Sequence, residues 1–159
     1  MDFLRLLRDD LRAGLKRLPA PYRQRHAAWL AARQLPCGGF ANRRGKPELY
    51  YTAFALRALS ALEALSPKQA EAALNFLAAP AEGRPSPFTN AVGAVGWWDA
   101  LCLCEEAAGP RFEGQAREAL ARRTREGVEL LRRPDGGYAK TREDGCGSVY
   151  HTFLAECTA

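Results

Sequence analysis

Three basic side chains, Arg43, Arg44 and Lys46, follow the pair Gly38-Gly39 within one short polar loop. Clustered cations beside backbone N–H groups suit an anion, and a guanidinium grips two phosphate oxygens with its planar fork. The same side chains also read as a solvated loop on a basic protein, and both readings stay open at this level. Other chemistry-bearing groups are sparse. Of the two histidines, His26 lies among Arg and Ala, while His151 follows Tyr150 at the start of an apolar run. Of five cysteines, Cys102 and Cys104 sit inside an apolar stretch, where Cys behaves as a small hydrophobe. Asp9-Asp10 is expected on the exposed side of a first helix. Trp97 and Trp98 can line an apolar pocket, hold a cation against a ring face or fill the core.

The elements that position these groups are repeated. Leu35-Pro36-Cys37-Gly38-Gly39-Phe40 recurs as Arg133-Pro134-Asp135-Gly136-Gly137-Tyr138. A polar loop follows each copy and leads to an aromatic-Thr sequence, Tyr50-Tyr51-Thr52-Ala53-Phe54 in one and Tyr150-His151-Thr152-Phe153 in the other. The spacing is two repeats of roughly 50 residues each. A degenerate middle copy is expected at Ser86-Pro87-Phe88-Thr89-Asn90, without its glycines.

The composition favours helices, because Ala and Leu are abundant while Val and Ile are scarce. Apolar periodicity predicts a first helix over 2–17, ended by Pro19 and Pro21. Others are predicted over 22–34, from Tyr50 to about residue 65, over 67–79, 89–108 and 111–132, and from Ser148 onward. A Pro- and Gly-rich loop covers 80–87. Weakly charged helices, starting near Tyr50, Thr89 and Ser148, alternate with charged ones starting near Tyr22, Pro67 and Arg111. The first set is expected inside and the second outside. The reading is one all-α domain over 1–159, with an N-terminal helix (1–20) and hairpin repeats at 21–66, 67–109 and 110–159.

At 159 residues, 47% hydrophobic and 26% charged, the chain has the make-up of a globular domain. Its net charge of +5 is read as solvated Arg-rich helix faces, and no nucleic-acid partner is expected. No segment approaches the roughly 20 apolar residues of a membrane span. The N-terminus lacks the continuous apolar core of a signal peptide. A reducing, cytoplasmic setting is the expectation.

The string Gly38-Gly39-Phe40, a loop, then Tyr50-Tyr51-Thr52-Ala53-Phe54-Ala55-Leu56-Arg57-Ala58-Leu59 resembles the prenyltransferase and squalene-oxidase repeat. That repeat builds the α/α toroid of protein prenyltransferase β subunits and triterpene cyclases. The resemblance covers roughly residues 22–159 and is strongest at 34–65 and 133–155. It implies a partial toroid of about three hairpins, a fragment or a chain whose open edge is covered by a protein subunit or by self-association. It also implies an apolar face for an isoprenoid diphosphate or another lipid-like molecule, with Phe54, Trp97, Trp98 and Phe153 lining it.

In that family a loop Gly-Gly-Phe-x-x-Arg-x-x-Lys holds the diphosphate, which gives Arg43 and Lys46 that role here, with Tyr51 beside them. The family's zinc ligands are an Asp-x-Cys pair and the His of Tyr-His-Thr. Tyr150-His151-Thr152 matches the latter, and Glu48 stands near the place of the acid. Tyr50 replaces the thiolate, and Cys146 is a local alternative before His151. Zinc takes about four donors, so this set departs from the family. The Asp-rich acid motif and the Gln-Trp signatures of the cyclases are missing. The alternative to a prenyltransferase-like function is a non-catalytic helical-repeat interaction module. With about three hairpins, an exposed apolar patch on the order of several hundred Å² is expected.

Overall fold

In the computed structural model, residues 3–79 and 90–157 are described. They form α1 (Phe3–Leu15), α2 (Ala20–Ala31), α3 (Leu49–Ala61), α4 (Pro67–Ala78), α5 (Ala91–Ala108), α6 (Gly114–Glu129) and α7 (Val149–Glu156). The chain is all-α. Its extended pairing among the described residues is limited to isolated bridges at the two Gly-Gly segments. The middle copy falls largely at 86–89, outside the described residues.

Local chemistry sets the helix ends. Ser66 and Gln69 form a reciprocal capping box at the start of α4, with Pro67 in its first turn. Ser148 caps α7 by accepting from the His151 backbone N–H. Helix α3 ends in a Schellman turn: Ala64 N–H donates to Leu59 O at 2.9 Å and Glu63 N–H to Ser60 O at 3.0 Å. Glu63, not glycine, takes the left-handed position at φ 55°, and Lys16 pairs with its carboxylate at 2.9 Å. Gly109, at φ 94°, closes α5. That turn and Pro110 delay α6 to Gly114, later than the predicted Arg111.

The described residues fall into two compact units. One holds α1–α4 and the part of α5 from Asp99 onward. Its centre is α3, against which α1, α2 and α4 pack. Leu56 and Leu59 are fully buried there, with Thr52 and Ala53 beside them. Arg57 on α3 grips Asp99 through Nε at 2.9 Å and Nη2 at 2.7 Å. Both groups are largely shielded from water, so removing either one strands its partner at a cost of about 3 kcal/mol. Helix α1 turns its polar side inward. Arg8 is buried and pairs with Glu106 at 2.5 Å, while Phe3, Leu7 and Leu11, apolar residues of the predicted first helix, are exposed.

The other unit holds the part of α5 up to Trp98, together with α6 and α7. Ala94, Val95, Trp97, Val128, Leu131 and Leu154 are buried in it. The predicted division into inner and outer helices holds for α3 against α6, whose buried residues are Thr124, Gly127 and Val128. It fails for two others. Helix α4, predicted outside, buries Ala70, Ala73, Leu74, Phe76 and Leu77, because it covers the first glycine pair. Helix α7, predicted inside, buries only Leu154 and Ala155. An apolar helix is buried only where another element lies on it, and Val149, Tyr150 and Phe153 are exposed.

Candidate functional site

The first Gly-Gly segment makes a tight turn joined to a small hairpin. Gly38 N–H donates to Leu35 O, and Leu35 N–H to Gly39 O, each at 2.8 Å. Gly38 has φ 88°, a conformation that favours glycine. Phe40, 1% exposed, donates its N–H to Thr52 Oγ1 at 2.9 Å. Thr52 in turn donates to Glu48 O at 2.8 Å. One hydroxyl therefore ties the turn to the first turn of α3.

Asn42 fixes the loop that follows. Its Oδ1 accepts from Arg44 N–H at 2.8 Å and Lys46 N–H at 3.1 Å. Its Nδ2 donates to Glu48 Oε2 at 2.8 Å. The backbone is held by these bonds, while Arg43, Arg44 and Lys46 are exposed. Among the described residues their side chains make no hydrogen bond or ion pair. The loop leads into an aromatic cluster on α3. Tyr50 lies 5.7 Å from Tyr51 and 4.8 Å from Phe54 between ring centroids, and Arg57 sits over Phe54 at 5.3 Å. Tyr50 and Phe54 are 48% and 46% exposed. The unit thus presents unpaired cations and, directly after them in the chain, an accessible apolar surface.

The second segment repeats this backbone bond for bond. Gly136 N–H donates to Arg133 O at 2.9 Å, Arg133 N–H to Gly137 O at 2.8 Å, and Ala139 N–H to Leu131 O at 2.9 Å. Gly136 has φ 85°. Tyr138 N–H meets Thr152 Oγ1 at 2.9 Å. Asp135 and Arg133 put their charges to a different use here, while Lys140 and Arg142 are exposed. Asp135 Oδ1 and Oδ2 accept from Gly137 and Gly147 N–H, both at 2.9 Å. The Gly147 and Gly137 amides hold its carboxyl below the usual carboxylate range. Arg133 donates to the carbonyls of Asp144, Thr141, Arg142 and Arg132. Its guanidinium is occupied in folding the loop.

The predicted site residues separate into groups. Arg43, Lys46, Tyr51 and Phe54 belong to one loop and the helix it feeds. Trp97, expected to line a pocket, is buried in the core at 7% exposure. Trp98 is half-buried with Arg117 over its ring at 5.1 Å. Phe153 is exposed on α7. His151 Nδ1 lies 2.7 Å from Ser148 Oγ, so its ring supports the cap of α7. Glu48 holds Asn42, and Cys146 is exposed. No three His, Cys, Asp or Glu residues gather as metal ligands among the described residues, short of the roughly four donors zinc takes. Asn42, Asp135, Thr52 and Thr152 organise the loops and were not predicted to do so. The recurrence of Thr at the same place in both copies was the available signal.

A cavity of about 60 Å³ opens among Arg8, Arg57, Asp99, Cys102 and Glu106. It is far smaller than the roughly 300–1,000 Å³ of small-molecule pockets. The carboxylates facing it are already paired with arginines. Cys104, on the same helix, is buried, and burial and then Asp99 push its thiol up to about 12, which makes it a poor nucleophile. Among the described residues, no helix is long and apolar enough to cross a membrane. Comparison with protein-family models, curated proteins and solved structures finds no match to this chain.

Proposed function

We propose that this chain is a prenyltransferase-like helical-repeat protein, a partial α/α toroid working in the cytoplasm, that binds an isoprenoid diphosphate or a related anionic amphiphile. One observation carries the reading. Among the described residues, the side chains of Arg43, Arg44 and Lys46 have no partner, and they stand on a loop whose backbone Asn42 has already locked. The chain runs from them directly into exposed Tyr50 and Phe54. Cations fixed in advance cost little further ordering when they meet a diphosphate. Arginine offers it a charge-assisted fork, and exposed rings offer apolar contact to a prenyl tail.

The role is binding, not chemistry, by these residues. Lys and Arg here neutralise charge, and the neighbouring acid, Glu48, is engaged with Asn42. Isothermal titration with a prenyl diphosphate tests the reading, alongside an Arg43→Ala, Lys46→Ala double variant. The expected result is saturable, salt-sensitive binding that the double variant loses. Absence of binding to folded wild-type protein, or equal binding by the variant, removes it.

A further inference from the structure

The two Gly-Gly copies differ in what lies on them. In the first, α4 crosses the glycine pair. A Cβ on Gly38 would stand 1.8 Å from Ala72 O, and one on Gly39 would stand 2.7 Å from the Phe76 ring. Gln34 Nε2 reaches across to Gln69 O at 2.8 Å. The glycines here make room for a helix backbone as well as for the turn. In the second copy, a Cβ on Gly136 meets no described atom within 4 Å, and Gly136 is exposed.

The loss of cover extends along the motif. Gly39 is buried, whereas its counterpart Gly137 is half-buried. Thr52 is 0% exposed, and Thr152 is accessible. Ala53 is buried at 3%, yet Phe153 in the same place is 43% exposed. Backbone bonds, turn and capping threonine are all kept. Among the described residues, no helix lies on them as α4 lies on the first copy. Arg132 occupies the sequence place of Gln34, and its Nη1 pairs with Glu129 Oε1, at the end of α6, at 3.2 Å.

We infer that the second Gly-Gly segment is a docking surface for a partner helix of the α4 pattern: a helix backbone carbonyl over Gly136 and an aromatic residue four positions on, over Gly137. The first copy is the template for this partner, since the Ala72 carbonyl and the Phe76 ring fill those places there. Close approach of a helix backbone is possible because the receiving position is glycine, and a Cβ there would hold the helix away. The inference does not depend on diphosphate binding, which concerns the other copy.

The test uses the full chain and a capped synthetic peptide of residues 66–79, titrated while backbone amide shifts are followed. The expected result is saturable shifts at Gly136, Gly137 and Phe153. A Phe76→Ala peptide should bind about tenfold more weakly. Gly136→Asn in the protein should abolish the shifts, since Asn tolerates the left-handed conformation but obstructs the approach. Folding of that variant is checked by the unchanged amide pattern of α6. No saturable shifts with the wild-type peptide, or equal shifts with Gly136→Asn, would overturn the inference. Self-association of the chain that Gly136→Asn abolishes, without peptide binding, would assign the face to a second copy and overturn it as well.

Discussion

The segment around Gly38-Gly39 and the one around Gly136-Gly137 share a backbone but divide its uses. Both close a turn on a left-handed glycine, and both send the next N–H to a threonine hydroxyl at 2.9 Å. The first braces its loop with a neutral side chain, Asn42, and leaves its cations unpaired among the described residues. The second braces its loop with Asp135, Asp144 and Arg133, while its other two cations, Lys140 and Arg142, are exposed. The first is covered by α4, whereas the second is open at Gly136. A repeat can thus keep its hydrogen-bond skeleton while the side chains around it move between folding and recognition.

The largest contrast is expected at the first glycine. Gly38→Ala drives a Cβ into Ala72 O and should cost about 3 kcal/mol or more. Gly136→Ala meets open space and should cost only the left-handed strain, about 1 kcal/mol. Urea denaturation of both variants measures this, and equal losses would break the comparison. Next in size is the threonine pair. Thr52→Val strands a buried Phe40 N–H at a cost of about 2 kcal/mol. Thr152→Val leaves Tyr138 N–H nearer to water and should cost about half as much.

Acid should also separate the copies. The ionised Asp135 carboxylate accepts two backbone N–H bonds, and its pKa is lowered. Its contribution is therefore complete above the ordinary carboxylate range and is lost as pH falls through the lowered value. Amide shifts of Gly137 and Gly147 should titrate in that acidic window, while that of Gly39 should not. The smallest effect sharpens the same point. Cys37 stands where the second copy has Asp135, and Pro47, lacking an N–H, stands where it has Gly147. Cys37→Asp should gain one bond at most, from Gly39 N–H, and raise stability by about 0.5 kcal/mol.

Much of this was legible from residue order. Periodicity placed α3, α4 and α7 within a few residues, because Ser66-Pro67 and Ser148 signal helix starts in any context. The duplicated motif predicted the paired turns. Burial was less legible. Apolar α7 was read as an inner helix, but periodicity reports which face could be buried and not whether a neighbour is there. For α1 the reverse held: Arg8 is buried because Glu106, far along the chain, supplies its partner. The cations of the candidate site were visible in the sequence. Asn42, which makes their loop rigid, was not, since its role needs three bonds formed across the hairpin.

The most direct test of the division between the copies is an amide titration of the full chain with a prenyl diphosphate. The account predicts saturable shifts at Arg44, Lys46 and the first turn of α3, with the Gly137–Gly147 loop unchanged. Equal shifts at both loops, or shifts confined to the second, would contradict it.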